Sequence, residues 1–367
     1  MEANPIPEKL ERSLSMSCKN CGAQMAFSPG RQQMLCDNCG TTASPPAERD
    51  QVIEHDYTEA LYMPQTQAGL GVAAKEFHCN NCGANTLVEP TTVSFECPFC
   101  ASKNVNEEAH RQQLIQPAGV LPFRIEKKAA NQQFREWIGK GWWYPRKLEK
   151  LAQLDKMEGV YVPFWTYDAD TDSSWTAEAG YYYYVTVHYT DSQGNQQSRQ
   201  EQRIQWVPAS GYYQHWFDDV TVVASGGVKQ SRVEAIYPYD LEQVVNYDSQ
   251  YLLGWHSEVY QKDVKEGFEV AEEIMDGYIR SEIIRTIPGD TYRNLLVHTR
   301  KHSITYKHLL LPLYIAAYLY EGKSYQVVVN GQSGKISGEK PLSWIKITLA
   351  TVAVLAVATA LYFLFRK

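Results

Sequence analysis

Four stretches that each hold a Cys-x-x-Cys pair decide how the first third of the chain folds. They are SCKNCGAQM (17–25), LCDNCGTTA (35–43), HCNNCGANT (78–86) and ECPFCASKN (96–104). Each cysteine of the second half of this pattern follows its counterpart by 61 residues, as Cys79 follows Cys18, and 14 residues separate the two pairs in each half. An internal repeat of this kind predicts two small units with the same fold.

The cysteine spacing predicts two structural zinc sites. Zinc in such a site takes four soft donors in a tetrahedron, and a Cys-x-x-Cys turn supplies two thiolates from one tight loop. Two such turns 14 residues apart leave room for a short hairpin between them, which is the plan of a zinc ribbon. The predicted ligands are Cys18, Cys21, Cys36 and Cys39 for one Zn²⁺ and Cys79, Cys82, Cys97 and Cys100 for the other.

The residue after the second cysteine of each pair supports this assignment. Gly22, Gly40 and Gly83 let the backbone turn back beneath the metal, whereas Ala101 makes the fourth turn the least regular. A redox disulfide and an iron–sulfur cluster are the alternatives, and a thioredoxin-like disulfide would need a βαβ context. A catalytic zinc is disfavoured because four cysteines leave no open coordination position.

The cysteines are expected to stay reduced. The N-terminal sequence MEANPIPEKLERSLSMS (1–17) is polar and lacks the apolar core of a secretory signal. In a reducing compartment, paired thiols act as metal ligands or redox groups rather than as structural disulfides. Each unit is too small for a core of its own, so we expect chelation to unfold residues 16–105 and to leave the later domain folded.

The charge balance favours a protein partner over nucleic acid. The chain has a formal net charge of −7. Residues 16–45 hold two basic residues and one acidic residue, and residues 75–106 hold two basic and three acidic residues. A Zn²⁺ ion with four thiolates adds a further formal charge of about −2 to each unit. Such units offer a poor surface for phosphate groups.

The chain divides into seven segments, and the predicted fold class is α+β. The segments are a flexible N-terminus (1–15), zinc ribbon 1 (16–45), a linker (46–74), zinc ribbon 2 (75–106), a helical segment (107–157), an aromatic-rich α+β domain (158–340) and a transmembrane helix (344–365). Both ribbons are expected to be small β structures. The linker is indicated by SPPAERD and MPQTQAGLG, which are rich in turn-forming residues.

Aromatic residues dominate the domain at 158–340 and favour strands there. EGVYVPFWTYDAD (158–170) and YYYYVTVHY (181–189) are predicted strands, DSQGN (191–195) is a predicted hairpin turn, and RIQWV (203–207) is the return strand. Residues 265–285 have apolar residues at helical spacing. The last piece, from LLLPLYIAAYLY (309–320) onward, is predicted to form two or three strands joined by tight turns.

The C-terminal segment is predicted to cross a membrane. Residues 347–365 carry no charge, and at about 1.5 Å per residue a helix of this length spans roughly the 30 Å hydrocarbon layer. Trp344 and Lys346 mark one interface, and Arg366 and Lys367 mark the other. A buried apolar helix is the alternative, but no polar stripe supports it. The predicted location is the bacterial inner membrane, with a single pass and the N-terminal domain in the cytoplasm.

No pattern of residues predicts a catalytic site, so we expect the protein not to be an enzyme. EGKSY (321–325) ends like a phosphate loop, but the Walker motif needs glycine at the position of Ala317. His298 and His302 form no HExxH motif and are expected at the surface. QHWFDD (214–219) could supply an acid–base group from its histidine and aspartates, although a polar turn is the simpler interpretation.

Three further segments carry a resemblance to a known family. They are IEKKAANQQFREWIGKGWWYP (125–145), EGVYVPFWTYDADT (158–171) and HLLLPLYIAAYLYEGKSYQVVVNGQSGKISGEKPLSW (308–344). In this order, after two zinc ribbons, they resemble bacterial membrane-anchored proteins labelled TFIIB-type zinc-ribbon or primosomal protein N′ (replication factor Y)-like. The resemblance covers nearly the whole chain. Some relatives look like membrane partners of phage-shock-type and stomatin-like (SPFH) proteins, which implies a role in envelope maintenance.

The leading hypothesis is a non-enzymatic, membrane-tethered zinc-ribbon adaptor that recruits a cytoplasmic or membrane-associated protein. The aromatic domain would form a platform near the lipid bilayer. The alternative is a membrane-attached nucleic-acid-binding protein with a replication-related role, against which the acidic balance argues. A third class is an enzyme in the aromatic domain, which a pocket holding His215, Asp218 and Asp219 together would support.

Overall fold

A computed structural model describes residues 12–13, 16–44, 52–62, 72–73, 75–88, 95–108, 114–141, 143–145, 157–321 and 323–365. The predicted flexible N-terminus lies outside these ranges except for Arg12–Ser13, and so do residues 146–156 of the predicted helical segment. The described chain is a mixed α+β structure, as predicted, with sheets, a few helices and one apolar helix at the C-terminal end.

The strands are β1 (Arg12–Ser13), β2 (Ala26–Ser28), β3 (Gln33–Leu35), β4 (Thr42–Ala43), β5 (His55–Asp56), β6 (Val72–Ala73), β7 (Lys75–Cys79), β8 (Asn85–Val88), β9 (Val105–Glu108), β10 (Gly119–Val120), β11 (Glu158–Thr190), β12 (Gln196–Val223), β13 (Val245–Asn246), β14 (His256–Glu258), β15 (Thr291–Tyr320), β16 (Lys323–Asn330) and β17 (Ile336–Gly338). The α-helices are α1 (Tyr57–Tyr62), α2 (Lys127–Gly139), α3 (Gln230–Ile236), α4 (Val264–Thr286) and α5 (Trp344–Phe365). Two 3-10 helices cover Leu241–Gln243 and Ser249–Leu252.

Three long antiparallel strands form the centre of the structure. Strand β11 lies between β12 and β15 and pairs with β15 from Glu158↔Ile315 to Gly180↔Thr291. Beyond Gly180 only β11 and β12 continue, as a two-stranded arm. The arm ends in the predicted hairpin turn, where the side chain of Asp191 accepts hydrogen bonds of 2.9 Å from the backbone N–H groups of Gln193 and Asn195.

The strands are longer than the sequence patterns predicted. The stretches 158–170 and 181–189 belong to one continuous strand, and QHWFDD (214–219) lies inside β12 rather than in a turn. The polar-turn interpretation of QHWFDD is therefore wrong. Its two aspartates form a β-bulge, with Asp219 at φ +53° and a register shift between Tyr167 and Ala169 on β11. A bulge absorbs the extra residue without ending the strand.

The long sheet is covered on both faces around residues 160–165 of β11. Along β11, Val160, Val162 and Phe164 pack into one hydrophobic cluster, while Tyr161 and Trp165 pack into another on the opposite face. Neighbouring side chains of a strand point to opposite faces, so a run of apolar residues marks a strand that is buried on both sides. Helix α4 packs on the second face through Ala271, Met275, Ile279 and Ile283, which are all buried.

The predicted linker is joined to this sheet where the structure describes it. Strand β5 pairs with β15 at Asp56↔Thr305 and His55↔Tyr306. Helix α1 follows directly, and the ring of Tyr57 lies 4.5 Å from that of Phe268 on α4. The C-terminal piece was predicted to form two or three strands and forms three, since β15, β16 and β17 are joined by short turns and pair in order.

Candidate metal centres

The first cysteine quartet forms one cluster at the end of a small sheet of β2, β3 and β4. The sulfur atoms of Cys18 and Cys39 lie 3.5 Å apart, and so do those of Cys21 and Cys36. All four sulfur atoms lie within 4.8 Å of one another. The hairpin of β2 and β3 fills the interval between the two pairs, as the spacing predicted.

The second quartet repeats this geometry. The sulfur atoms of Cys79 and Cys100 are 3.5 Å apart, and those of Cys82 and Cys97 are 3.6 Å apart. Strands β7 and β8 form the hairpin that carries the first pair, and β9 follows the second pair and returns to β7. The structure therefore brings together all eight predicted ligands in the two predicted groups.

Both groups fit a tetrahedral zinc ion. With a Zn–S distance of about 2.3 Å, neighbouring sulfur atoms of a tetrahedron are separated by about 3.8 Å. The closest pairs in the two clusters are within a few tenths of an ångström of this value. All eight cysteines are free thiols. Thiolates are the donors that zinc prefers in closed structural sites, so the donor chemistry and the spacing agree.

All four Cys-x-x-Cys turns have the same backbone. In each, the residue after the second cysteine donates its N–H to the carbonyl oxygen of the first cysteine, at 2.8–2.9 Å. That residue has a positive φ in every case: +74° at Gly22, +74° at Gly40, +79° at Gly83 and +57° at Ala101. The predicted reason for the glycines is thus confirmed, and Ala101 adopts the left-handed conformation in spite of its Cβ.

Without a cation, the thiols of a quartet are not equivalent. The hydrogen bond between Cys39 and the hydroxyl of Thr41, at 3.1 Å, lowers the pKa of Cys39 to about 5. Burial raises the pKa of Cys100 to about 11. The hydrogen bond to Cys97, followed by burial, raises the pKa of Cys82. A divalent cation among the four sulfurs would hold them all as thiolates, which is why metal binding at such sites releases protons.

The two clusters differ in exposure. In ribbon 1, Cys18 and Cys36 are buried, whereas Cys21 and Cys39 are exposed, together with both residues inside each pair. In ribbon 2, Cys79, Cys97 and Cys100 are buried and Cys82 is half-buried. The residues inside the second pair of ribbon 2, Pro98 and Phe99, are buried as well. Both cysteine pairs of ribbon 1 therefore face solvent, whereas ribbon 2 exposes only the residues inside its first pair, Asn80 and Asn81, and buries its second pair.

Ribbon 1 is attached to the body through its hairpin. The N–H of Phe27 donates to Leu253 O at 3.2 Å, and the indole N–H of Trp255 donates back to Phe27 O at 3.2 Å. The ring of Phe27 lies 5.0 Å from that of Tyr251. The side chain of Gln32 donates to Phe123 O at 2.8 Å. These contacts hold the hairpin and leave the metal end free.

Ribbon 2 is part of the large sheet. Its strand β8 pairs with β14 at Ser257↔Leu87 and Glu258↔Thr86, and β14 pairs with β11. Side chains of β16 hold the second cysteine pair: Ser324 Oγ donates to Cys100 O at 3.1 Å, and Gln326 Nε2 donates to Phe99 O at 2.9 Å. The pairing and the side-chain bonds both cross from the ribbon to the body.

A buried carboxyl group lies at this junction. Glu258, on β14 opposite Thr86, is fully buried, and burial raises its pKa to about 8. Burial disfavours the charged form, so a carboxyl group in such surroundings is protonated at neutral pH. This burial could not be predicted from the sequence, because Glu258 lies in a short polar segment that pairs with ribbon 2.

The histidines considered as catalytic groups are not assembled into a site. His298 and His302 are exposed on β15, as predicted. The ring of His215 packs against Phe217 and Tyr278, at 4.5 and 4.8 Å between ring centres. Asp218 and Asp219 instead lie beside Asp168 in an acidic group that does not include His215.

The acidic group is tied to a lysine and to the linker. Lys307 Nζ lies 2.7 Å from an Asp219 oxygen and 3.0 Å from a Glu54 oxygen. The side chain of Asp168 accepts hydrogen bonds from the N–H of Asp219 at 2.6 Å and from the hydroxyl of Thr305 at 3.0 Å, while burial raises its pKa to about 6. Sequence reasoning missed this network because its members come from four distant parts of the chain. These hydrogen bonds and ion pairs connect β11, β12, β15 and the linker, so a structural role accounts for the network.

Helix α5 is long and apolar enough to cross a membrane. It has 22 residues with a mean hydropathy of 2.3 over its most apolar window, and none of that window is buried in the protein. The alternative of a buried core helix is therefore wrong for these residues. A helix exposed on all sides and apolar throughout needs an apolar surrounding.

Fold and clusters together define a mixed α+β protein with two four-cysteine groups and an apolar helix at its C-terminal end. Over 341 residues the chain is 29% identical to the uncharacterized protein YdjG of Bacillus subtilis (strain 168), and the aligned part covers 90% of this chain and 91% of that protein. No protein-family model matches the chain. No solved structure matches it either.

Proposed function

We propose that this protein is a non-enzymatic, membrane-tethered zinc-ribbon adaptor that recruits a cytoplasmic protein partner. Each cysteine quartet would bind one structural Zn²⁺, α5 would anchor the chain in the bacterial inner membrane, and the rest of the chain would lie in the cytoplasm. The resemblance to membrane partners of phage-shock-type and SPFH proteins makes envelope maintenance the proposed process. The grouping of all eight cysteines into two possible metal-binding quartets suits a reducing, cytoplasmic location.

The recruiting surface is assigned to ribbon 1. The single observation that carries this assignment is the exposure of its metal end, where Cys21, Cys39 and the residues between each pair face solvent. Ribbon 2 has the same sulfur geometry but uses its second cysteine pair to contact β16. A rigid, metal-fixed turn that faces solvent is a suitable protein-binding element because it loses little conformational entropy on binding.

Equivalent positions of the repeat provide a matched test. Asn20 of ribbon 1 and Asn81 of ribbon 2 are both exposed and both precede the second cysteine of their pair. The full chain carrying Asn20→Arg or Asn81→Arg is compared with the wild type by pulldown in detergent, followed by quantitative mass spectrometry. We expect Asn20→Arg to deplete a defined partner at least tenfold and Asn81→Arg to leave its recovery unchanged.

Three outcomes would contradict the proposal. Equal recovery with both variants would show that ribbon 1 is not the recruiting element. Binding of duplex DNA that weakens steeply with salt would favour a nucleic-acid-binding protein. Release of the full-length protein from membranes by alkaline carbonate would show that α5 is not an anchor.

A further inference from the structure

A loop distant in sequence lies against the start of α5. It follows α2 and comprises residues 140–141 and 143–145 of the described chain; we call it the tryptophan loop. Lys140 of this loop and Lys340, which precedes α5, are 200 residues apart in the sequence and in contact in the structure. The loop belongs neither to the cysteine clusters nor to the long sheet.

Backbone oxygens of the tryptophan loop accept hydrogen bonds from three positions around the helix start. The N–H of Ser343 donates to Trp143 O at 2.8 Å. The ammonium group of Lys346 donates to Tyr144 O at 2.8 Å, and that of Lys340 donates to Lys140 O at 2.9 Å. Two of these bonds have a charged donor, which makes them stronger than neutral ones. The loop and the first turn of α5 are therefore held as one unit.

Two aromatic rings contact the ammonium group of Lys340. Its ammonium nitrogen lies 4.1 Å from the centre of the Trp137 ring and 4.7 Å from that of Tyr144. The Tyr144 ring also covers Gly141, which has φ +114° and where a Cβ would lie 2.5 Å from a ring carbon. Only glycine fits such a position. The loop thus has a specified shape.

Four large apolar side chains of this unit are exposed. Trp143 is 46% exposed and Trp344 is 74% exposed. Leu342 and Ile345 are also exposed, at 50% and 75%. The bond between Ser343 and Trp143 places the backbone of Trp143 beside the residue that precedes Trp344. Tryptophan prefers the headgroup level of a bilayer, where its apolar ring and its polar N–H are both satisfied.

We propose that the tryptophan loop is a second membrane contact, in which Trp143 enters the headgroup region of the bilayer that α5 crosses. The surface is continuous with α5, and this inference rests on the proposed membrane anchorage of that helix. One helix alone leaves a domain free to rotate about the helix axis. A second contact beside it fixes which side of the domain faces the lipid.

The test uses quenching of tryptophan emission by lipids brominated near the headgroup end of the acyl chain. The full-length protein is placed in nanodiscs of such lipids, and the quenched fraction is compared for wild type, Trp143→Phe, Trp344→Phe and Trp216→Phe. Trp216 is the matched control because it is 60% exposed but lies on β12 opposite Asp170. With nine tryptophans, we expect Trp143→Phe and Trp344→Phe each to remove roughly one ninth of the emission, all of it quenched.

The result is read from whether the quenched fraction of tryptophan emission falls or rises in each variant. The quenched fraction should fall with Trp143→Phe and rise with Trp216→Phe, which removes an unquenched emitter. A rise with Trp143→Phe and a fall with Trp344→Phe would overturn the tryptophan loop as a membrane contact while leaving the anchor in place. A rise with both would overturn the membrane anchor itself. If Trp143→Phe fails to fold, Trp143→Tyr keeps an amphipathic ring and gives the same readout.

Discussion

The two ribbons share one sulfur geometry and one turn geometry, and they differ in how they join the rest of the protein. Ribbon 1 has its own three-stranded sheet, touches the body through its hairpin and exposes two of its four cysteines. The strands of ribbon 2 belong to the large sheet, and its second cysteine pair contacts β16. The same cysteine spacing produces the same local turns, but the neighbours of each turn decide whether its outer face is available. A repeated metal motif therefore need not mean a repeated role.

Loss of one ligand in each ribbon should separate the two roles most strongly. Cys97→Ser removes a buried ligand of ribbon 2, and because β8 is paired into the large sheet, we expect the free energy of unfolding of that sheet to fall by about 4 kcal/mol. Cys36→Ser removes the equivalent buried ligand of ribbon 1 and should cost the large sheet less than about 1 kcal/mol. Urea unfolding of the full chain in detergent, followed by far-UV circular dichroism, measures both.

Zinc content is the control for this pair. Each variant should retain one of the two metal sites, so elemental analysis should give one zinc per chain instead of two. Equal destabilisation of the large sheet by the two substitutions would show that ribbon 1 and ribbon 2 contribute equally to its stability, which would contradict the prediction. Fewer than two zinc ions in the wild-type chain, or oxidised sulfurs, would remove the basis of both.

The buried carboxyl at the ribbon 2 junction predicts a dependence on pH. The pKa of Glu258 is about 8 in the folded chain against an ordinary value of 4.5, so the folded state binds the extra proton between these values. The contribution of Glu258 is therefore fully present below pH 4.5 and is lost as the pH rises through about 8. We expect a loss of about 4 kcal/mol between pH 5 and pH 9 in the wild type.

Glu258→Gln should abolish this part of the pH dependence, because the amide has nearly the same shape and does not ionise. Urea unfolding at a series of pH values, with zinc kept saturating, gives the comparison. Glu234→Gln, at an exposed position on α3, is the control and should leave the profile as in wild type. A Glu258→Gln profile as steep as that of the wild type would show that other groups cause the slope.

Two glutamines hold the two ribbons and should have unequal effects when removed. Gln326→Ala breaks the bonds to Phe99 O and Gly227 O, and we expect it to destabilise the large sheet by about 2 kcal/mol and to speed the release of zinc from ribbon 2. Gln32→Ala breaks the bond to Phe123 O and should affect ribbon 1 alone. Release of zinc to a chromogenic chelator measures both rates, and faster release from ribbon 1 in the Gln326 variant would contradict the assignment.

The smallest effect is expected at the turn that lacks glycine. Ala101 is the counterpart of Gly40 in the repeat, and both have a positive φ. Ala101→Gly should therefore stabilise ribbon 2 by about 0.5–1 kcal/mol, and Gly40→Ala should destabilise ribbon 1 by about 1 kcal/mol, since an alanine Cβ is strained there. Zinc affinity measured by competition with a chelator should change in the same opposite directions.

Local features of the structure could be predicted from the sequence, and non-local ones could not. The cysteine groups, the three glycine turns, the hairpin turn at 191–195 and helix α4 depend on residues close together in the chain, and the structure contains them all. The path from β8 through β14 to β11 depends on partners roughly 100 to 170 residues apart, which no local pattern encodes. The unequal burial of two identical cysteine patterns follows from that path.

The length of β11 determines how far its distal end moves when the domain tilts. Its 33 residues, at about 3.3 Å each, give a contour of about 100 Å from Glu158 to the hairpin. If the strand were straight, a tilt of about 5° at one end would displace the other by about 9 Å. Small rotations of the domain on its anchor would thus become large excursions at the far tip of the arm.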